Sequence, residues 1–265
     1  RAEGALVLFA EDNPVNCKVI CMMLERLGIA VETVSNGSDA WNRIRRKSYG
    51  MLITDCHMPE MDGYELAEKV RTLERASDRP HMPIIALTAD ALIGTKERCR
   101  TAGMDDYLPK PVDRATLNEL IQRWLPKAVQ LRRPAVADNH ATPRGGSYGD
   151  DAILDLRYIH DAVGGDETMV APLLEDYIRN ARRLVDDMLD AFEDMDFVRA
   201  REAAHAAKGT SRLAGAVRFA NLCEQIELFL CAGDTSRAAE YSRRIEPELA
   251  VVSQAVAGHD RRSIS

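Results

Sequence analysis

The sequence has no apolar run approaching the ~20 residues that a membrane-spanning helix needs, and no signal peptide at its start. A transmembrane segment is therefore not expected within it. None of its six cysteines (Cys17, Cys21, Cys56, Cys99, Cys223 and Cys231) forms a Cys-x-x-Cys pair, which removes the common zinc and redox motifs. Reduced, packed thiols of a cytoplasmic protein are expected instead, with Cys17 and Cys21 on one face of a helix. An excess of basic residues is also missing. The net charge of -7 argues against a nucleic-acid-binding surface, and Arg132-Arg133, Arg182-Arg183 and Arg243-Arg244 read as solvated faces. The chain opens on Arg1 rather than Met, so it is expected to be a fragment whose membrane anchor, if any, lies upstream.

What is present falls into two dissimilar halves. In the first, short apolar runs alternate with amphipathic stretches. Strands are expected at Ala5–Ala10, Val31–Val34, Met51–Thr54, Pro83–Thr88 and Asp106–Leu108. Helices are expected at Pro14–Gly28, Gly37–Ser48, Tyr64–Arg75, Thr95–Ala102 and Arg114–Leu125. Such alternation implies a parallel sheet covered on both faces, with right-handed crossovers. Five strands in residues 1–126 suit the flavodoxin-like order 2-1-3-4-5.

Residues 127–150 carry Pro134, Pro143, Gly145, Gly146 and Gly149 with few large apolar side chains, as a flexible linker does. Residues 151–265 show no strand signal. A short helix at Asp155–Val163 and longer ones at Glu167–Glu193, Phe197–Leu213, Phe219–Cys231 and Ser236–Val256 predict an all-α four-helix bundle.

Chemistry concentrates where the strands of the first half end. Ligands bind beyond the carboxyl ends of parallel strands, at the switch in strand order. Glu11 and Asp12 follow the first strand and Asp55 follows the third, its neighbour in the predicted order. Three converging carboxylates repel one another, and a hard divalent cation such as Mg²⁺ (or Mn²⁺) offsets that repulsion. Thr88 ends the fourth strand and Lys110 follows the fifth. This set suits phosphoryl transfer to a carboxylate: Asp55 as nucleophile, with Thr88 and Lys110 holding phosphoryl oxygens.

The segments Glu11-Asp12-Asn13, Ile53 to Gly63, Ala86-Leu87-Thr88-Ala89 and Tyr107-Leu108-Pro109-Lys110-Pro111 resemble the receiver domains of two-component response regulators over about residues 4 to 126. The resemblance implies that Asp55 accepts a phosphoryl group. It implies a metal held by Asp12, Asp55 and the backbone carbonyl of His57, with Glu11 acting through water. It makes Thr88 and Tyr107 a switch pair and Lys110-Pro111 a cis peptide. His57 and Asp90, two residues beyond Asp55 and Thr88, are placed to tune hydrolysis.

In the second half Arg201, His205, Lys208 and Arg212 form one polar helical stripe, with Ala200, Ala203, Ala204, Ala207 and Ser211 on other faces. The histidine is thus expected to point to solvent. Gly209 costs its helix roughly 1 kcal/mol relative to alanine, which suits a surface that another protein must approach. The sequence His205-Ala206-Ala207-Lys208-Gly209-Thr210-Ser211, with Gly215-Ala216 beyond it, resembles the histidine-containing phosphotransfer (HPt) domain over about residues 151 to 258. The resemblance makes His205 the phosphorylated residue, with Lys208, Gly209 and Ser211 shaping its site. Ala207 departs from the leucine common in the family. Glu202 is a candidate to orient the ring.

A receiver followed by an HPt domain resembles the C-terminal part of hybrid sensor histidine kinases. The implied route runs from a kinase histidine to Asp55, to His205, and on to a downstream response regulator. The implied partners are kinase catalytic and dimerisation domains on the same polypeptide and that regulator. The implied location is the cytoplasm, with the full-length protein anchored in the inner membrane. No glycine-rich nucleotide lid and no dimerisation-helix histidine is visible, so autophosphorylation from ATP is not expected. The rival readings are a receiver that mainly sequesters a partner, a stand-alone phosphate shuttle, and a phosphate sink. An aspartyl-phosphate hydrolase is disfavoured, because it would want an acid where His57 stands.

Overall fold

The computed structural model describes residues 6–77, 79–88, 93–126 and 153–263. These fall into two compact units divided between Thr142 and Pro143. Residues 127–150, read as the linker, lie outside the described residues, as do Ala89 and Asp90.

In the first unit β1 (Leu6–Ala10), β2 (Ala30–Val34), β3 (Met51–Asp55), β4 (Ile84–Thr88) and β5 (Asp106–Pro109) form one sheet in the order β2-β1-β3-β4-β5. Every pairing is parallel. The central strands β3 and β4 are buried at every position, as a sheet covered on both faces requires. Side chains alternate across the sheet. Leu8, Ala10, Leu52, Ile84 and Ala86 share one core with Ala40, Ile44, Leu66, Ala67, Val70, Cys99 and Ala102. Those partners come from α2 (Gly37–Ile44), α3 (Gly63–Ser77) and α4 (Ile93–Thr101) or the turn after it. The alternate residues Val7, Phe9, Ile53 and Ile85 are fully buried on the other side. The remaining helices are α1 (Pro14–Arg26) and α5 (Arg114–Trp124).

Two local devices aim the strand ends. Asn13 caps α1, its side chain accepting from the amides of Val15 at 3.0 Å and Asn16 at 3.2 Å, with Pro14 at the first helical position. The chain therefore turns sharply after β1, at Glu11 and Asp12. At the opposite edge of the sheet, Arg71 of α3 ties several segments together. It donates to the carbonyls of Gly103 (2.8 Å) and Met82 (3.0 Å) and pairs with Glu74 (2.7 Å) and Asp105 (2.6 Å). Asp105 in turn accepts the amide of Ile84, the first residue of β4.

The second unit is helical throughout its described residues: α6 (Arg157–Ala162), α7 (Glu167–Glu193), α8 (Phe197–Ala214), α9 (Val217–Cys231), α10 (Thr235–Ser242) and α11 (Ile245–Ser263). Aspartates cap three of them: Asp166, Asp196 and Asp234 accept amides of α7, α8 and α10. Helix α8 ends at Gly215, whose φ of 78° is the left-handed conformation of a helix C-cap. A Cβ there would lie 1.8 Å from the carbonyl oxygen of Asp155, so only glycine fits this turn.

The helix expected at Ser236–Val256 is in fact two, α10 and α11. Buried Ala238, Ser242, Ile245, Leu249, Val252 and Val256 keep one helical period across the break, so apolar spacing alone reads as continuous. Pro247 lacks the N–H that would bond the carbonyl of Arg243, and the ladder is interrupted there. Smaller differences are a start two residues earlier for α4 and an earlier end, at Ile44, for α2.

Candidate functional site

Two clusters of polar side chains stand out, one in each unit. In the first, Asp55 is the last residue of β3, and Glu11 follows β1 directly. The register pairs Ala10 with Thr54, which brings the two strand ends side by side. Carboxylate oxygens of Glu11, Asp12 and Asp55 lie within 4.8 Å of one another. Glu11 and Asp55 are buried and Asp12 is exposed. Lys110 reaches across from the end of β5, with its Nζ 2.8 Å from Glu11 Oε2 and 2.6 Å from Asp55 Oδ2. The peptide between Lys110 and Pro111 is cis.

Each of these charges is shaped by its surroundings. Burial pushes the Glu11 carboxyl up to about 7, against the pull of Lys110 and with the push of Asp55. Burial also works against the Lys110 ammonium, but the facing charges of Asp55 and Glu11 outweigh it and hold its pKa above the ordinary lysine range. Glu11 is fixed by the Asn16 side-chain amide at 3.0 Å. The backbone amide of His57 donates to Asp55 Oδ1 at 3.3 Å. His57 itself is exposed, its ring edge-on to Tyr64.

Thr88 ends β4 beside β3. Its hydroxyl is buried and has no hydrogen-bond partner among the described residues. A buried hydroxyl without a partner is costly, and this one lies at the strand-end edge where Asp55 and Lys110 meet. Tyr107, on β5, is half-buried, and the Lys96 ammonium sits 4.8 Å from its ring centre. The loop beneath Asp55 has no slack: a Cβ on Gly63 would lie 2.2 Å from the Asp55 carbonyl oxygen. The oxygen donors Glu11, Asp12 and Asp55 fit a hard divalent cation, with no soft ligand among them.

In the second unit His205 lies midway along α8 and is 28% exposed. It is less open than the polar stripe suggests, because Glu227 of α9 covers one side. Glu227 Oε1 is 2.7 Å from His205 Nδ1, and Oε2 accepts from Lys208 Nζ at 2.6 Å. Burial opposes the Glu227 charge, but His205 and Lys208 more than offset it and hold the carboxyl at about 2. Glu202, the sequence candidate for orienting the ring, is exposed; it is Glu227 that meets the imidazole. Spacing along α8 could not reveal a partner 22 residues on. The available signal was that the next helix of an antiparallel hairpin carries two acids one turn apart, Glu224 and Glu227, which meet Arg212 and His205 of α8.

Lys208 is buried against Glu227 instead of lying on an open stripe. Ser211 is fully buried, donating to the Ala207 carbonyl and accepting from Tyr177 Oη at 3.1 Å. It lies on the buried side of the histidine helix, against Tyr177 of α7. Gly209 does lie at an open place: a Cβ there would meet nothing within 4 Å.

This pair of sites, on these two folds, defines a two-component phosphorelay protein. Residues 7–122 match the response regulator receiver domain and residues 172–255 the Hpt domain, and the chain belongs to the two families in that order. It is similar to the receiver-plus-HPt region of hybrid sensor kinases. The virulence sensor protein BvgS of Bordetella pertussis is 33% identical over 79% of this chain and 17% of that protein. The signal transduction histidine-protein kinase BarA of Escherichia coli K12 is 29% identical over 92% of this chain and 25% of that protein. The chain thus spans a quarter or less of these relatives' length. Among solved structures, the receiver domain of the sensor histidine kinase PA1611 from Pseudomonas aeruginosa, with a magnesium ion in its active-site cleft, is 45% identical. That likeness covers 46% of this chain and 97% of the PA1611 domain, with a TM-score of 0.42. No helix among the described residues is long and apolar enough to cross a membrane.

Proposed function

We propose that the chain passes a phosphoryl group from a kinase histidine to Asp55, from Asp55 to His205, and from His205 to the aspartate of a downstream response regulator. The observation that carries this reading is the grip of Lys110 on Asp55 and Glu11 beside the unpartnered Thr88 hydroxyl. One Asp55 oxygen attacks phosphorus as the bond to the donor imidazole nitrogen breaks. Lys110 and Thr88 take the phosphoryl oxygens. Glu11, Asp12, Asp55 and the His57 carbonyl would hold Mg²⁺ (or Mn²⁺), which when bound supplies positive charge to the transferring oxygens. Thr88 and Tyr107 act as the switch pair.

In the second step His205 is the nucleophile and the Asp55 carboxylate leaves. Glu227 accepts a hydrogen bond from Nδ1–H of the neutral ring, which leaves the Nε2 lone pair for phosphorus. Lys208 holds Glu227 in place, and Ser211 and Tyr177 fix the helix from below. The unit limits 1–126 and 151–265, with a linker at 127–150, keep the two sites at high effective concentration. The kinase domains that load Asp55 belong to the same longer polypeptide, and this segment works in the cytoplasm without contacting nucleic acid or membrane.

The test is phosphoryl transfer to the purified chain from a phosphorylated partner or a small phosphodonor with Mg²⁺, reading acid-labile and base-labile label. Wild type should carry label to base-stable phosphohistidine, His205→Gln should trap it on aspartate, and Asp55→Asn should take none from the donor. Label on Asp55 that never reaches His205, with competent partners present, sinks the relay.

Gly209 gives a second expected outcome. Alanine there fills open space and removes a helix penalty of about 1 kcal/mol. Gly209→Ala should therefore raise the thermal midpoint of the bundle while slowing transfer to His205 by about tenfold or more, a loss of ~1.4 kcal/mol in the transfer step. Stability and transfer measured on one preparation check both signs; an unchanged transfer rate would separate Gly209 from the docking surface.

A further inference from the structure

Helix α8 carries four cations, Arg199, Arg201, Lys208 and Arg212, and carboxylates hold three of them. Arg199 donates to Asp187 at 2.8 Å, Lys208 to Glu227 at 2.6 Å and Arg212 to Glu224 at 2.8 Å. Arg201 is exposed and has no carboxylate within ion-pair distance among the described residues. It stands one turn before His205 on the same stripe.

The pairing of α8 with α9 explains why. Acids on α9 meet the stripe rung by rung: Glu224 faces Arg212, and Glu227 faces His205 and Lys208. One turn further, the antiparallel hairpin brings Cys231, the last residue of α9, to the level of Arg201. Cys231 is exposed and offers no carboxylate. The next acid along the chain, Asp234, is engaged by Arg237 at 2.5 Å. The third rung thus has a cation and no anion.

We propose that Arg201 binds the phosphoryl group that arrives on His205 and holds its oxygens during transfer. This rests on the reading of His205 as the phosphorylated residue.

The charge balance around His205 supports the assignment. A phosphoryl group brings a charge of about −1.5 to −2 at neutral pH. Glu227 is held ionised by its partners, and its charge cancels that of Lys208. Glu224 likewise cancels Arg212. Glu202, exposed on the flank, adds negative charge. Arg201 is the cation of the stripe left uncompensated.

Position supports it as well. Side chains of an α-helix lean towards its N-terminus, so the imidazole leans over the turn that holds Arg201. Residues four apart have Cβ atoms about 5–6 Å from each other, a span that a flexible arginine covers. Nδ1 is taken by Glu227, and the guanidinium fork matches two oxygens of a phosphoryl group on Nε2.

The step balances without a further reagent. Nε2 bonds to phosphorus, the P–O bond to Asp55 breaks, and its electron pair returns to that carboxylate. The ring proton stays on Nδ1, against Glu227. Arg201 exchanges water for phosphoryl oxygens and keeps all its protons.

The whole chain is compared as wild type, Arg201→Gln, Arg201→Lys and, as a control for net charge, Arg182→Gln, whose side chain is exposed on α7. Thermal midpoints should agree, because Arg201 is paired with nothing in the fold. In an Asp55→Asn background, concentrated potassium phosphoramidate, far above the level of the transfer assay, loads imidazoles directly. The phosphorus NMR signal that His205→Gln removes belongs to His205. The pH midpoint of its phosphoryl ionisation should rise by roughly half a unit in Arg201→Gln and stay near wild type in Arg201→Lys and Arg182→Gln. A midpoint unmoved in Arg201→Gln, or moved equally in Arg182→Gln, overturns the proposal. With Asp55 intact, transfer from phosphorylated Asp55 to His205 should slow about tenfold in Arg201→Gln, less than loss of a buried, preorganised donor gives, and largely recover in Arg201→Lys. An unchanged rate overturns the role in transfer. Failure of the relay looks different: His205 then takes phosphoryl from phosphoramidate in every chain and none from Asp55, and the midpoint alone judges Arg201. A His205 that takes it from neither source overturns both readings.

Discussion

Replacing Lys110 with methionine should cost the receiver about 3–5 kcal/mol of stability, the scale seen when one partner of a buried ion pair is removed. The side chains of Lys110, Glu11 and Asp55 are 8%, 0% and 10% exposed, so water cannot take over the role of the ammonium. Two facing carboxylates would be left, and the one that is cheaper to neutralise, Glu11, would hold its proton still more tightly. The same change should slow phosphorylation of Asp55 by about 10²–10³, as removal of one preorganised oxyanion donor does. A second substitution separates the two effects. Glu11→Gln in the Lys110→Met chain removes the uncompensated charge, so urea unfolding should recover most of the lost stability while phosphorylation stays slow. If both recover together, Lys110 serves the fold alone.

The second large effect concerns Glu227. Glu227→Ala leaves Lys208, 8% exposed, as a buried charge without its carboxylate, and should cost the bundle about 3–5 kcal/mol. Glu227→Gln keeps the shape and should cost less. The pH dependence is fixed in sign. The folded pKa of Glu227, about 2, lies below its ordinary value of 4.5. Its stabilisation is therefore fully present above about 4.5 and is lost as pH falls towards 2. A shift of that size amounts to up to about 3 kcal/mol. Thermal midpoints of the second unit measured from pH 6 to pH 2 should fall in that window for the wild type and much less for Glu227→Gln. An equal fall in both would place the acid sensitivity elsewhere.

How far the sequence alone reached depends on the kind of contact. Strand ends were legible because buried parallel strands are continuous apolar runs, and the first polar residue after each run marks the edge where ligands gather. Glu11, Asp55, Thr88 and Lys110 were found in this way, and all four meet at one edge. Along α8, spacing placed Gly209 at an open position and the alanines in the core. It could not say that Lys208 turns inward, because that depends on Glu227 in another helix. Ser211 was placed with the alanines away from the polar stripe, and it is buried with them; its partner Tyr177, on α7, was beyond the reach of spacing for the same reason. The division at Arg243–Arg244 was readable in principle from Pro247, which cannot donate to the carbonyl of Arg243, but an unbroken apolar period outweighed it.

The Arg71 network at the far edge of the sheet bears on how the carboxylate-lined edge can exist. Parallel strands carry force along their length, so the two edges of this sheet are mechanically one object. At one edge, an arginine with two carboxylates and two carbonyls fastens α3, the start of β4 and the turn before β5. At the other, like charges crowd and a hydroxyl goes without a partner. The fastened end acts as a keel: β4 is tied where it begins, and the same strand ends at Thr88, beside the crowded carboxylates.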